Sequence, residues 1–413
     1  MKNWFSKPLV IALLFGTLVP LVNIDRFPYA NAASRFATID SLIHRGTFII
    51  DESSFMHETV DKAMVDGHFL STKPPVLSVA SAGIYGLVYH ITGLSFESNR
   101  RGAIRMVTFL VAGISHLLMI WIAHLFLCLW FGSREEKYYR IGLTVYSIGL
   151  LHFGYASSLN NHTIASTLLF GAIYLAVRRR STGRREVKDI VLIALLLMFS
   201  ATIDLPSLAL FALVPLYLWP TLKTKDWLVY VLVGMIPLLL HFWLTYESTG
   251  SILPLYLRPE VYDYPGSYWN NPGGIDASKD PIWIYIFHTL VGHHGYFSFT
   301  PILLFAVPSL YRHVRGGTKH RDEALLFGVF WLVILAFIWG KTTNYGGVCV
   351  GLRWGFMTMP LLLLFALDEM KQRQVSKVAT VLWVVIGVLT AVDALDNPWH
   401  TSRIHSFISW VSS

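Results

Sequence analysis

The stretch PPVLSVASAGIYGLVYHIT, Pro74 to Thr92, decides how the chain is threaded. It approaches the roughly 20 apolar residues a helix needs to cross a bilayer, yet it is rich in Gly, Ala and Ser and carries His90. Other apolar runs lie at 8–24, 104–131, 141–157, 163–177, 189–203, 206–219, 228–246, 296–312, 324–340, 354–370 and 377–394. If every run crossed from a cytoplasmic N-terminus, the loop RRRSTGRR (Arg178 to Arg185) would lie outside, against the positive-inside tendency. Laying 74–92 along the outer surface instead puts the basic loops 134–140, 178–188, 223–225, 312–321 and 371–377 all inside. The same parity makes 189–219 a hairpin of two short helices with Asp204 and Pro206 at its outer tip. It also keeps Trp283 to Phe297 from being a further crossing. The expected fold is all-α, a polytopic membrane protein of about eleven transmembrane helices with outer-face juxtamembrane helices.

Composition agrees with that class. Of 413 residues, 54% are hydrophobic and 14% charged, against roughly 25% charged in soluble domains. The net charge of +8 resides in inter-helix loops, so membrane topology explains it without nucleic acid. Cys128 and Cys349 form no metal or redox spacing, and no GxGxxG or P-loop pattern suggests a nucleotide site. Lys2, Lys7, the run Pro8 to Val22 and Ala30-Asn31-Ala32 imitate a secretory signal. The charged gap from Asn23 to Tyr29 favours an uncleaved first helix.

This topology gathers the unusual polar residues on one side. The outer face receives the loop 23–105, the SLNNHT turn (Ser158 to Thr163), Asp204, the loop 247–295, KTTNYGGVCVGLRW (Lys341 to Trp354) and the tail after Asp393. The whole chain reads as one membrane-embedded domain, with 23–105 as a catalytic loop and 247–295 as an acceptor or lid loop. A pump or channel more often places ionisable groups near the bilayer centre, whereas chemistry at one interface suits an enzyme acting on a lipid head group.

Within the first loop, ASRFATIDSLIHRG (Ala33 to Gly46) places Phe36, Ile39, Leu42 and Ile43 on one face of an amphipathic helix ended by Gly46. A second short helix is predicted over Glu58 to Val65, before Gly67. Lys73 is then held extended by the following proline, and Pro74 and Pro75 open a helix. A lysine at the start of an interfacial helix suits a lipid phosphate; the plain alternative is a snorkelling side chain.

Five ordered segments carry a resemblance: SRFATIDSLIHRGTFIIDES, TVDKAMVDGHFLSTKPP, LNNHT, GHHGYFSFTP and NYGGVCVGLRW. They resemble bacterial integral-membrane glycosyltransferases of the GT-C class, of the protein O-mannosyltransferase and lipid A aminoarabinose transferase type, from about residue 20 to 370. The resemblance implies transfer of a sugar from a polyprenyl phosphate to a glycolipid, polysaccharide or protein acceptor at the outer face of the cell membrane, with inversion. It implies that Lys73 contacts the carrier phosphate and that an acid of the first outer loop acts as base. Members with and without a divalent ion exist, so a metal is left open.

The chain departs from the family pattern in two places. Where relatives carry an adjacent acidic pair, it reads PYANAAS, so the base is sought among Asp61, Asp25 and Asp51. The second-loop acid of some relatives is replaced by Asn160, Asn161 and His162, a trio suited to sugar hydroxyls or to capping the next helix, with His162 able to act as a base near neutral pH. Arg353, after a glycine-rich run, is a second candidate for the phosphate, against an interfacial anchor. Tyr345 is a candidate to stack on sugar. His293 and His294 resemble half a metal site, although adjacent histidines diverge on a helix. Tyr262, Tyr264, Tyr268 and Trp269 offer rings to an acceptor or to the membrane. The rival functions are a flippase of lipid-linked sugars and a surface-polysaccharide polymerase or ligase.

Overall fold

The computed structural model describes residues 6–24, 28–132, 137–183 and 185–403. The chain is mostly helical, and its helices follow the apolar runs. The first are α1 (Lys7–Asn23), α2 (Ala30–Arg45), α3 (Pro75–Thr92) and α4 (Arg100–Phe131, with a π-turn at Phe109–Gly113). Next come α5 (Lys137–Thr144), α6 (Leu151–Tyr155), α7 (Asn161–Thr182), α8 (Val187–Ile203), α9 (Leu208–Leu218) and α10 (Thr224–Thr249). The last are α11 (Ile282–Leu290), α12 (Tyr296–Phe299), α13 (Ala306–Gly316), α14 (Arg321–Lys341), α15 (Met359–Gln372) and α16 (Lys377–Asp396). By length and composition α3, α4, α10, α14 and α16 can each cross a membrane. The helix α11 has nine residues, about 13 Å at 1.5 Å per residue, too short to span.

Small residues set the tightest packing. A Cβ at Gly154 would lie 2.5 Å from the Ala391 carbonyl, and one at Gly387 would lie 2.8 Å from the Gly149 carbonyl. Only glycine there lets α16 approach the 145–155 segment backbone to backbone, the close approach that substitutes for hydrophobic driving force inside a membrane. The main core surrounds α15, whose residues Met359 to Leu367 are all buried.

The two ends of α7 separate two kinds of polar chemistry. Its 22 residues extend about 33 Å from Asn161 to the basic residues Arg178 to Arg180. At that basic end Arg179, fully buried, faces Asp226 at 3.5 Å, and Arg178 bonds Asp189 at 3.1 Å. These arginines are paired and structural.

The first loop folds partly as expected. The helix α2 ends at Gly46 with φ 65°, its N–H bonded to the Ser41 carbonyl, and Pro75 opens α3. However, α2 does not lie free on a surface. Its polar residues Asn31, Ser34, Arg35, Thr38, Asp40 and Ser41 are buried as fully as its apolar ones. The helix predicted over Glu58–Val65 is replaced by a short 3₁₀ turn, Met56–Glu58, and an antiparallel hairpin of β1 (Lys62–Val65) and β2 (His68–Ser71). The cause is the Asp66-Gly67 pair, with φ 51° and 83°. Two consecutive residues at positive φ form the tight turn that Asp-Gly favours and that joins strands, not helical turns.

Candidate active site

The hairpin builds the centre of the site. Its register pairs Lys62 with Ser71, and the next rung is a bond from the Thr72 N–H to the Asp61 carbonyl, 3.2 Å. Asp61 and Lys73 therefore leave the ladder side by side, and the Lys73 Nζ lies 2.7 Å from Asp61 Oδ2. Ser34 of α2 donates to the Asp61 carbonyl at 2.6 Å and bonds Ser71 Oγ at 2.6 Å, fixing the hairpin to the helix.

Arg35, one turn into α2 and 1% exposed, is the main residue that sequence reasoning missed. Its guanidinium donates to Asn161 Oδ1 at 2.7 Å and to Asn31 Oδ1 at 2.5 Å, while its Nε has no partner. Burial lowers it to about 10, partly offset by Asp61. Burial alone would raise the Asp61 carboxyl, but Lys73, Arg353 and Arg35 together hold it below the usual carboxylate range. Lys73 is lowered to about 8, chiefly by burial, with Asp61 resisting and the two guanidiniums adding to the fall. The centre is one anion facing three cations, and it favours a further negative group.

Arg353 is the cation left without a hydrogen bond among the described residues. Its guanidinium carbon lies 5.0 Å from the Trp399 ring and 5.9 Å from the Trp354 ring. A Cβ at Gly346 (φ 95°) would meet Arg353 Nε at 3.3 Å, so glycine there serves both the backbone turn and the arginine's position. Arg353 itself lies in a 3₁₀ turn, Arg353–Gly355, ahead of α15. Trp399 is held by its Nε1–H, which donates to Ser158 Oγ at 2.9 Å, and the Val350 N–H donates to the Pro398 carbonyl.

The SLNNHT turn divides its roles. Asn160 caps α7, its Oδ1 accepting from Thr163 N at 2.9 Å. Asn161 receives Arg35. His162 Nδ1 lies 2.7 Å from Oδ2 of Asp204, which stands between α8 and α9 at the tip expected from the sequence. The sequence grouped Asp204 with the SLNNHT turn, and the fold brings the two together, but it gave no sign of this pairing.

The remaining candidates lie elsewhere. Asp51 is a hairpin brace, with Oδ1 accepting from Phe69 N and Oδ2 bonded to His68 Nδ1, both at 2.7 Å. Asp25 lies outside the described residues. Tyr345 is 0% exposed, packed against Tyr285, His293 and His294 with its hydroxyl on Asp280. Stacking on a sugar would require that packing to open. His294 donates through Nε2 to the Gly347 carbonyl at 3.1 Å, and burial, helped by His293, lowers it to about 3. It therefore braces the glycine loop under Arg353 as a neutral ring. Among the described residues no three His, Cys, Asp or Glu side chains could hold a metal.

The 250–277 segment packs on the hairpin. Trp269 donates to the Val60 carbonyl at 3.1 Å, Tyr264 meets Phe69 edge-on at 5.2 Å, and Leu255 and Val261 share a small core with Ala63 and Leu70. Asn344 reaches Asp276 at 2.9 Å, so the same segment ties the hairpin to the Arg353 loop. Beside Lys73 opens a cavity of about 560 Å³, reaching from Pro74, Asn161, Asp204 and Trp354 down apolar walls that include Leu208, Leu238 and Phe337.

Solved structures with this arrangement of helices are known. The lipid A aminoarabinose transferase ArnT of Cupriavidus metallidurans, in its apo state, superposes with TM-score 0.55 over 92% of this chain and 61% of its own, at 14% identity. The fold is that of the GT-C glycosyltransferases. An oligosaccharyltransferase of Archaeoglobus fulgidus has the same GT-C fold, with TM-score 0.53 over 100% of this chain and 59% of its own, at 12% identity. A further structure of that enzyme, in complex with zinc and sulfate, gives TM-score 0.52 at 15% identity over 98% of this chain and 55% of its own. The chain thus spans about three fifths of the length of the solved proteins it matches. No protein-family model and no curated protein matches it at the level of sequence.

Proposed function

We propose that the protein transfers a sugar from a polyprenyl-phosphate donor to an acceptor at the outer face of the cell membrane, with inversion at the anomeric carbon. The observation that carries this reading is the half-buried Asp61–Lys73 pair flanked by Arg35 and Arg353, beside a cavity with apolar walls. Three cations against one carboxylate suit a phosphodiester that leaves as a more highly charged phosphate monoester, and the apolar walls suit a prenyl chain. Lys73 and Arg353 take the phosphate, Arg353 being the cation not already bonded, and they stabilise the negative charge that grows as the phosphate leaves. Arg35 stays bound to Asn161 and holds the two outer turns together. Asp61 keeps Lys73 in place and charged.

The residues do not fit a divalent ion. The acid at the centre is enclosed by Lys73, Arg35 and Arg353, and Asp204 is bonded to His162, so no step is derived through a metal. The aromatic segment 250–277, already packed on the hairpin, is the part suited to recognising the acceptor, which is a glycolipid, a polysaccharide or a protein.

Purified protein in nanodiscs, given polyprenyl-phosphate sugars and envelope acceptors, tests the reading by release of bare polyprenyl phosphate. Release by wild type that is lost in Lys73→Ala supports it. Movement of labelled donor between leaflets without any release replaces the transferase with a flippase.

A further inference from the structure

The Asp204–His162 pair has no part in holding the phosphate, and its placement is unusual. Asp204 is 6% exposed and lines the cavity beside Asn161 and Pro74. Its Oδ2 is held by His162 Nδ1 at 2.7 Å. Its Oδ1 has no partner among the described residues. Asp204 lines the cavity, so this second oxygen is the one a ligand hydroxyl entering the cavity can reach. The surrounding charged and titratable groups are Arg35 of α2, Arg353, and His152 of α6, with His241 of α10 across the cavity.

The half-buried Asp61 and the buried Asp204 stand in different surroundings. Asp61 faces three cations, which stabilise its anion and make it reluctant to take a proton. Asp204 also feels Arg35 and Arg353 but carries no cation bonded to it: a neutral imidazole holds one oxygen, and the side chain lines the cavity. The SLNNHT turn has no carboxylate of its own, and the α8–α9 tip brings Asp204 against its His162.

Resting on the transferase reading above, we propose that Asp204 is the base that receives the acceptor's hydroxyl proton, and that His162 is its positioning residue. As the acceptor oxygen attacks, its O–H proton passes to Asp204 Oδ1 and the new carbon–oxygen bond forms at the anomeric carbon. The bond from that carbon to the carrier phosphate breaks, and its electron pair leaves with the phosphate held by Lys73 and Arg353. No oxidant or further reactant is needed.

The test uses full-length protein in nanodiscs with the donor and acceptor that wild type consumes, following polyprenyl-phosphate release and, separately, equilibrium binding of a polyprenyl phosphate. Asp204→Asn preserves shape and removes the basic oxygen. It is expected to lower kcat by about 10²- to 10⁴-fold with binding of the polyprenyl phosphate unchanged. His162→Gln, which still bonds Asp204, is expected to lower kcat less and to move the acid limb of the pH–rate profile. Asp204→Glu is expected to restore part of the rate. If Asp204→Asn retains kcat within about threefold while Asp61→Asn abolishes it, the base is Asp61 and the inference is wrong. A rise in donor KM alone makes Asp204 a sugar-binding group and equally overturns it. Loss of polyprenyl-phosphate binding in both Asp204→Asn and Asp204→Glu makes the pair structural. If wild type itself releases nothing, the transferase reading fails first.

Discussion

Replacing Asp61 by Asn probes the charge balance of the site. The Lys73 ammonium rests at about 8 because burial and two guanidiniums drive it down while the carboxylate 2.7 Å away holds it up. A unit-charge pair at that separation, in a medium of effective dielectric about 20, is worth on the order of 6 kcal/mol. Both groups retain some solvent contact, so half of that, about 3 kcal/mol or two pK units, is a conservative figure. Lys73 in the variant then ionises near pH ~6 and is about one tenth protonated at neutral pH. A polyprenyl phosphate needs the ammonium, so the missing proton must come from solution. Binding at pH 7 should take up about 0.9 proton in the variant against about 0.1 in wild type. Calorimetry in buffers of different ionisation enthalpy counts those protons. The ligand's own titration enters both measurements alike, so the difference of about 0.8 is the observable. A difference below about 0.2 would show that Asp61 does not keep Lys73 charged and would refute the argument.

Donor KM should rise above pH about 8 in wild type, as Lys73 loses its proton through its lowered value. In Lys73→Arg that rise should be absent, because a guanidinium stays charged, and a parallel rise in wild type and Lys73→Arg would point to another group. Trp399→Ala removes the ring 5.0 Å from the Arg353 guanidinium carbon and should weaken polyprenyl-phosphate binding by about 2- to 30-fold, with Trp399→Phe milder, as direct titration would reveal. Gly346→Ala places a methyl 3.3 Å from Arg353 Nε at φ 95°. It should lose binding to a similar degree and lower thermal stability by about 1 kcal/mol or more in a melting assay.

Much of this arrangement was legible in the sequence where the signal was local. The period of Phe36, Ile39, Leu42 and Ile43 marked α2, Gly46 marked its end, Pro74-Pro75 marked the start of α3, and of the two roles open to Asn160, Asn161 and His162 the cap is the one Asn160 takes. Lys73 and Arg353 are candidates marked by their flanking proline and glycine, and the fold brings both near Asp61. Arg35 is not so marked, since an amphipathic pattern assigns its polar face to solvent, and only tertiary packing reveals that this face is buried against the hairpin and α7. The pairing of His162 with Asp204 joins residues 42 positions apart, and no local rule encodes it. The hairpin was a missed local signal. Asp66-Gly67 between KAMV and HFLS has the turn chemistry of two strands, and a glycine alone does not distinguish that turn from the end of a helix.

That hairpin separates the site's spacing from its own tip. The Asp61–Lys73 distance is set by the open end of the ladder, while Asp66, Gly67 and His68 at the closed end are exposed. Four residues of strand place the tip about 13 Å from the ion pair. A fluorophore on a cysteine introduced at Asp66 would therefore report occupancy of the site from outside it, turning the turn into an optical gauge of ligand entry that leaves the chemistry untouched.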